Sequence, residues 1–508
     1  MKQIYTLLFL GLFSFCKSPE PKQIDLDELT IAQIHLGFSK GKYNAEDLVK
    51  AYLARIDAND SAFNSISVIN PEALAIAKKL DKEFSKTGKL RPLHGIPLIV
   101  KDNINTVGLP TTAGSLALAD FYPEEDAFII QKLVEAGAII IAKSNMAEWA
   151  FSPMHSESST KGTTRNPYNL DHVPAGSSGG TGASIASNFG VIGLGTDTGN
   201  SIRGPSSHNS LVGFRTTLGL VSREGIVPLY LRNDVVGPMC RTVEDATKVL
   251  EAIAGVDSKD PITSFSEGKI PENYSQFLDK DGLKGARIGI FRTLSESNPD
   301  PQIAALFNQS LKDMQALGAV IVDSVEVKDF DSLRRNQWCP VFRQDLEKFL
   351  TDYVKRDTMK TLEDVIRVGT KSDYSRNGLE SFRESTLPEN MGENCGDPFT
   401  DLKRIAFREA IEKVMDSLRL DALVYPSWNH KPARIDRFQE EYLGDNSQII
   451  APHTGQPAFT VPMGFTSGNL PAGLQFLGKM WSEPVLIKLA YGYEQGTKHR
   501  KPPVLPKF

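Results

Sequence analysis

Residues 176–203 read GSSGGTGASIASNFGVIGLGTDTGNSIR, with a glycine-rich turn at each end of the stretch. Residues 183–188 favour a short helix, and the apolar run at 191–195 favours a buried strand. Glycine permits unusual backbone angles and close approaches, so both turns can hold serine hydroxyls and backbone N–H groups near a reacting group. The stretch therefore predicts a helix and a strand of an α/β protein, with candidate catalytic serines in the turns.

Short apolar runs and helical patterns alternate on both sides of this stretch. Residues 95–100 and 136–142 are apolar runs around a helix-like segment at 126–135. Further strand-like runs lie at 287–291, 319–322, 422–425 and 458–461, and further helical patterns lie at 31–57, 242–253 and 303–317. This alternation predicts an α/β sheet that helices cover on both faces, with helices and loops added around residues 330–450.

Composition and charge argue against two classes of protein. Of the 508 residues, 40% are apolar and 23% are charged, which is ordinary for a globular protein. The formal net charge is −5 and no long basic run occurs, so nucleic-acid binding has no electrostatic signature here. No apolar stretch reaches the roughly 18 residues of a membrane-spanning helix. The length allows one very large domain or two to three ordinary ones.

The N-terminus has the pattern of an export signal. Lys2 precedes an apolar run at 4–15, and Cys16 follows the run. A short basic region before such a run is typical of secreted proteins, and the cysteine at its end suggests a lipoprotein with a lipid anchor on Cys16. Phe15 departs from the small residue usual at that position. We expect the protein to be exported and to be periplasmic or anchored to the membrane as a lipoprotein.

These features divide the chain into three parts. We expect residues 1–16 to be the export signal, residues 17–30 to be a polar tether, and residues 31–508 to form the folded domain. The sequence does not indicate an oligomeric state.

The cysteines and histidines show no metal-binding pattern, so we expect no metal ion. Cys16, Cys240, Cys339 and Cys395 lack metal-like spacing. A disulfide between Cys339 and Cys395 is compatible with an oxidising compartment, but the sequence does not predict it. Cys240 is expected to pack in the core. The histidines are dispersed along the chain, without a His-x-x-x-His pair.

Lys101 is the candidate base for a serine nucleophile. A serine hydroxyl needs a base within hydrogen-bond reach, and a lysine serves if burial depresses its pKa. The apolar run that ends at Lys101 would deliver it to the interior. Taken alone, a lysine at this position is more often a surface residue at the end of a strand.

The glycine-rich turn at 176–182 has alternative interpretations. It can be a flexible linker or an anion-binding nest. Residues 176–180 also fit G-x-S-x-G, the nucleophile elbow of α/β-hydrolases, with Ser178 as nucleophile. The elbow requires a buried strand immediately upstream, whereas residues 169–175 are polar and contain Pro174. We therefore disfavour the elbow.

Lys101, Ser177 and Ser201, each in its surrounding motif, resemble the amidase signature family over roughly residues 30–500. The resemblance implies one large domain with a mixed, twisted sheet between helices, and hydrolysis or transfer of amide bonds by a Ser–Ser–Lys triad without a cofactor. It implies that Ser201 is the nucleophile, that Ser177 is a bridging serine after a cis peptide bond, and that Lys101 is the base.

The same resemblance assigns supporting roles around the triad. The oxyanion donors would be the backbone N–H groups of Thr198, Gly199, Asn200 and Ser201. Ser178 would hydrogen-bond within the relay, and Asp197 and Arg203 would pair to brace the nucleophile loop; for that pair, a surface ion pair is the alternative. Many family members have glycine at the position of Asn200.

The predicted function is hydrolysis of a small-molecule or peptide amide through an acyl-enzyme on Ser201. One alternative is the glutaminase-type subunit of a tRNA-dependent amidotransferase, which works in the cytoplasm and which an export signal contradicts. Another is an exported, non-catalytic binding protein of the same fold. We expect the substrate pocket to involve residues 144–156 and 330–450. Four large side chains either line it or belong to the core: Trp149, Met154, Trp338 and Trp428.

Overall fold

The computed structural model describes residues 24–323, 325–385 and 395–505. The predicted export signal, including Cys16, and residues 17–23 of the predicted tether lie outside these residues. Among the described residues, no helix combines the length and apolar character needed to cross a bilayer.

Eleven strands of the described chain form one mixed sheet, and two short strands form a separate hairpin. The strands are β1 (Ile66–Ile69), β2 (Pro97–Lys101), β3 (Ile139–Ser144), β4 (Glu157–Ser158), β5 (Gly162–Thr163), β6 (Ile192–Asp197), β7 (Val212–Arg215), β8 (Val235–Cys240), β9 (Arg287–Ile290), β10 (Val320–Val322), β11 (Ala422–Pro426), β12 (Ala458–Thr466) and β13 (Leu470–Leu477). The order in the large sheet is β1-β3-β2-β6-β8-β7-β12-β13-β11-β9-β10. The predicted α/β class and single mixed sheet are confirmed.

Helices pack against this sheet. They are α1 (Ile31–Ser39), α2 (Ala45–Phe63), α3 (Ala73–Thr87), α4 (Phe128–Glu135), α5 (Gly179–Ala186), α6 (Arg203–His208), α7 (Val243–Ile253), α8 (Arg292–Ser295), α9 (Pro301–Ala316), α10 (Phe330–Leu333), α11 (Phe342–Phe349), α12 (Leu362–Val368), α13 (Asp373–Glu384), α14 (Leu402–Ser417), α15 (Ala451–Thr454) and α16 (Glu483–Thr497). The predicted helix at 31–57 is in fact two helices, because Asn44 caps the start of α2 with its side chain.

The centre of the sheet determines where the site lies. Strand β2 pairs in parallel with both β3 and β6, and every residue of these three strands is buried. Parallel strands bring their carboxyl ends to the same edge. The last residue of β2, Lys101, therefore lies beside the end of β6, where Thr196 and Asp197 stand.

Helix α5 begins at Gly179, four residues before the predicted start. Its first turn is the glycine-rich motif itself, and it packs tightly on the end of β3. A Cβ atom on Gly180 would lie 2.1 Å from the Asn145 carbonyl oxygen, so only glycine fits there. The close approach outweighs the poor helix propensity of glycine.

Two peripheral segments differ from what their composition suggested. Residues 24–30, which the sequence places in a tether, pack onto the domain, since Leu26 is buried and Glu28 forms an ion pair with Arg500. Cys339 and Cys395 form a disulfide, which ties the start of the added helical region to the chain before α14. Cys240 is buried in the core, as expected.

Candidate active site

Lys101 lies at the bottom of the site, fully buried at the end of β2. Its Nζ donates hydrogen bonds to Ser177 Oγ over 2.7 Å and to Thr196 Oγ1 over 2.8 Å. Burial lowers the pKa of Lys101 to about 7, although Asp197 and Asp234 act in the opposite direction. A large share of the neutral amine is therefore present at physiological pH, in contact with a serine hydroxyl.

Ser177 follows a cis peptide bond, between Gly176 and Ser177. The backbone of residues 152–155 encloses this turn: Gly176 N donates to Pro153 O over 2.9 Å, and a Cβ on Gly176 would lie 2.4 Å from Ser152 O. Ser178 Oγ donates to the Thr196 carbonyl over 3.2 Å. Ser177 and Ser178 thus both engage partners at the end of the central strands.

Ser201 stands between β6 and α6 and borders a cavity. It is 4% exposed, and Thr198, Gly199 and Asn200 border the same cavity. Within the described part of the chain, the backbone N–H groups of Gly199, Asn200 and Ser201 donate no hydrogen bond. N–H groups left free beside a nucleophile are what an oxyanion hole requires.

A buried ion cluster holds the loop that carries Ser201. Asp197 contacts Arg203 Nε over 3.0 Å and Arg215 Nη1 over 2.8 Å. Burial alone would raise the pKa of Asp197, but the two guanidinium groups outweigh it and hold the pKa at about 2. Arg203 also donates to the Gly199 carbonyl over 2.6 Å. The pair suggested by the sequence is thus a buried brace of the loop.

Sequence reasoning missed three partners of the site. Thr196 receives the second hydrogen bond of Lys101, Arg215 completes the Asp197 cluster, and Asp234 accepts a hydrogen bond from Thr198 Oγ1 over 2.5 Å. Arg215 is the last residue of the short buried strand β7, and this position only weakly indicates that its charge is buried. Nothing local distinguishes the other two.

Histidine does not take part in the Lys101 cluster. His155 Nδ1 lies 2.7 Å from Ser152 Oγ, but this hydroxyl also accepts the Met154 N–H and so closes a turn. His208 is buried against the Trp428 ring, which lowers its pKa to about 3. In the described residues, no group of three histidine, cysteine or acidic side chains is arranged to hold a metal ion.

The cavity beside Ser201 has a volume of about 640 Å³ and is rich in aromatic residues. None of the described residues that border it carries a charged side chain. Its aromatic side chains are Phe151, Tyr230, Trp338, Phe342, Tyr374, Phe382 and Tyr442. Of the four large side chains considered from the sequence, Trp338 borders the cavity, whereas Trp149, Met154 and Trp428 are buried elsewhere.

The family model for amidases matches residues 47–487. The chain belongs to the amidase signature family. It is similar to a probable amidase of Arabidopsis thaliana, with 34% identity over 94% of this chain and 92% of that protein. It is also 34% identical to a glutamyl-tRNA(Gln) amidotransferase subunit of Microcystis aeruginosa, over 93% of this chain and 99% of that protein.

Solved structures of amidases share the fold over nearly the whole chain. The native peptide amidase of Stenotrophomonas maltophilia matches with a TM-score of 0.82 and 34% identity, covering 95% of this chain and 99% of that one. A peptide amidase in complex with the competitive inhibitor chymostatin matches with a TM-score of 0.84 at 34% identity, covering 94% and 99%. This amidase-family enzyme therefore has the expected fold.

Proposed function

We propose that this amidase hydrolyses an uncharged carboxylic amide through an acyl-enzyme on Ser201. The observation that carries the proposal is the buried 2.7 Å contact between Lys101 Nζ and Ser177 Oγ. It joins a lysine of lowered pKa to a hydroxyl on the turn next to the nucleophile loop. Ser201 in turn borders a cavity beside free backbone N–H groups.

The proposed relay moves one proton along the three side chains. Neutral Lys101 takes the proton of Ser177, which takes the proton of Ser201 as that oxygen attacks the amide carbonyl. The N–H groups at 198–201 stabilise the oxyanion. Ser177 returns a proton to the departing amine and is reprotonated by Lys101. Water then cleaves the acyl-enzyme with the same groups acting in reverse order.

The cavity favours a neutral substrate over glutamine. Free glutamine carries a carboxylate and an ammonium group, and burying either without a partner is costly. No described residue bordering the cavity has a charged side chain. This argues against the glutaminase role of the amidotransferase subunits, although one of them is 34% identical to this chain.

We also propose that the protein is exported, with Cys16 as the site of a lipid anchor. The support is the N-terminal sequence pattern and the Cys339–Cys395 disulfide, because disulfides persist mainly in oxidising compartments.

A fluorophosphonate probe tests the nucleophile. We expect the purified protein to be labelled, Ser201→Ala to lose labelling, and Ser178→Ala to retain it. Labelling that survives in Ser201→Ala but is lost in Ser178→Ala would support the nucleophile elbow instead. If the protein is not labelled and hydrolyses no amide but still binds a ligand, the result would support the non-catalytic binding protein.

A substrate comparison tests the preference for neutral amides. We expect turnover of uncharged primary amides, with glutamine hydrolysed at least about 100-fold less efficiently, because its charges would be desolvated without partners. Efficient hydrolysis of glutamine would favour the glutaminase alternative.

A further inference from the structure

Two side-chain amides, those of Asn200 and Gln448, border the cavity at the loop of residues 198–201. Each donates hydrogen bonds from its NH2 group to acceptors of the protein, and no described residue donates a hydrogen bond to its oxygen. The oxygen and nitrogen atoms of a carboxamide are assigned from their hydrogen-bond partners, because the oxygen accepts and the NH2 group donates. In both residues the partners decide the orientation.

Asn200 directly precedes the nucleophile and is 1% exposed. Its Nδ2 donates to Pro153 O over 3.3 Å, and this carbonyl also accepts Gly176 N. A carbonyl can face only a donor, so the NH2 group must point to Pro153. A Cβ on Gly204 would lie 2.7 Å from Nδ2, which shows how closely the amide is enclosed. Asn200 Oδ1 accepts no hydrogen bond from a described residue.

Gln448 lies against the same loop and comes from a short helical turn at Asn446–Gln448. Its Nε2 donates to Asp445 Oδ2 over 3.0 Å and to the Tyr442 hydroxyl, and that hydroxyl donates to the same carboxylate over 3.0 Å. Two acceptors therefore hold the NH2 group. Gln448 Oε1 lies against Gly199, where a Cβ would be 2.9 Å away. Within the described chain this oxygen also lacks a donor.

Asn200 and Gln448 border the cavity beside Ser201, and the position of Ser177 indicates which part of the substrate this cavity receives. The leaving amine must face Ser177, which reprotonates it, and Ser177 is fully buried and absent from the cavity wall. The cavity therefore receives the acyl part of the substrate. Its wall beside Ser201 includes the carboxamides of Asn200 and Gln448, and the rest of the wall is rich in aromatic residues, with no charged side chain among the described residues.

We propose that Asn200 and Gln448 determine specificity by accepting a hydrogen bond from an N–H group on the acyl side of the scissile amide. The substrate class is then neutral N-acylated amino-acid or peptide amides with an apolar last side chain. This inference rests on the amide hydrolysis proposed above. An acyl group without the N–H would leave enclosed acceptors unpaired, which is costly.

Three primary amides test the inference on the full-length protein. N-acetyl-phenylalaninamide carries the N–H, N-acetyl-N-methyl-phenylalaninamide replaces it with a methyl group, and 3-phenylpropanamide lacks the acylamino group altogether. All three release ammonia and present the same ring. We expect kcat/KM for the first to exceed both others by about 10- to 100-fold. Equal values for all three would overturn the inference.

Variants locate the effect on the two oxygens. Asn200→Gly keeps the backbone N–H, and Gln448→Met keeps the side-chain length. We expect each to reduce the preference for N-acetyl-phenylalaninamide by about tenfold. Gln439→Met makes the same change in another carboxamide bordering the cavity, and we expect it to leave the preference unchanged. Fluorophosphonate labelling of Ser201 shows that each variant is folded.

Other outcomes separate this inference from the proposed function. A preference that persists in both variants, or an equal loss on all three substrates, would overturn the acyl-side assignment while leaving amide hydrolysis intact. Absence of both turnover and Ser201 labelling in the unmodified protein would overturn the proposed function, and this inference with it.

Discussion

Two buried lysines on neighbouring strands, Lys101 and Lys143, have similar surroundings and different partners. Their side chains point to opposite faces of the sheet, since Val100 pairs with Lys143 and Lys101 pairs with Ser144 in the β2–β3 register. Burial lowers the pKa of both, to about 7 for Lys101 and about 8 for Lys143. A depressed pKa alone therefore does not single out the base.

The partners distinguish the two amines. Among the described residues, Lys101 donates hydrogen bonds to neutral groups alone, including the Ser177 hydroxyl. Lys143 donates to Ile104 O over 2.6 Å, and its Nζ lies 3.9 Å from the Asp102 carboxylate. The carboxylate stabilises the charged form of Lys143. A lysine without a carboxylate partner but beside a serine can act as a base. One that neutralises a buried carboxylate supports the structure.

Lys101→Met should give the largest effect. With no base for Ser177, we expect kcat/KM to fall by about 10³- to 10⁴-fold or more, because the relay acts as a unit. Steady-state kinetics measure this, with circular dichroism as the control for folding. Activity within tenfold of the unmodified enzyme would remove Lys101 from the mechanism.

Lys143→Met should act on stability instead. It leaves Asp102 buried without its cation, which costs about 3–5 kcal/mol when the carboxylate is ionised. Burial raises the pKa of Asp102 to about 6, so the loss should be larger at pH 8 than at pH 5, where the carboxyl binds a proton. Urea unfolding at both pH values measures it. A loss of kcat without a loss of stability would contradict the comparison.

The pH profile of kcat/KM should follow Lys101 and not Lys143. The base must be neutral, so activity should fall about tenfold per pH unit below pH 7 and level off above it. We expect the pH profile of kcat/KM for the folded Lys143→Met protein to have the same midpoint as that of the unmodified enzyme. A midpoint that moves in that variant would show that the second lysine sets the profile.

A matched pair of threonines should give the smallest effects. Thr196 Oγ1 accepts from Lys101, and Thr111 Oγ1 accepts from Lys143 over 3.1 Å. Removing one hydroxyl as Thr196→Val should lower kcat by roughly tenfold, since the amine loses its orienting partner. Thr111→Val should leave kcat unchanged and lower stability by about 1 kcal/mol. Equal effects on kcat would mean that neither contact is specific to catalysis.

Local patterns in the sequence account for a large part of the fold. Apolar runs predicted the central strands β2, β3 and β6, and Thr242 marked the start of α7 to within one residue. Strands β8 and β13 were missed because each contains both glycine and proline, which weaken the strand pattern. Both strands form by pairing with other strands of the sheet, β8 with β6 and β7, and β13 with β11 and β12.

The sequence by itself determined the candidate reaction groups proposed for this amidase: Lys101 at the end of an apolar run, and Ser177 and Ser201 in glycine-rich turns. Motif spacing and residue chemistry are local properties, so they can be read without a fold. Only the tertiary structure decided the partners. The hydrogen bonds of Lys101 join residues 76 and 95 positions apart, and Gln448 reaches the loop of Ser201 from another element. Such contacts depend on strand order and register, which no local pattern specifies.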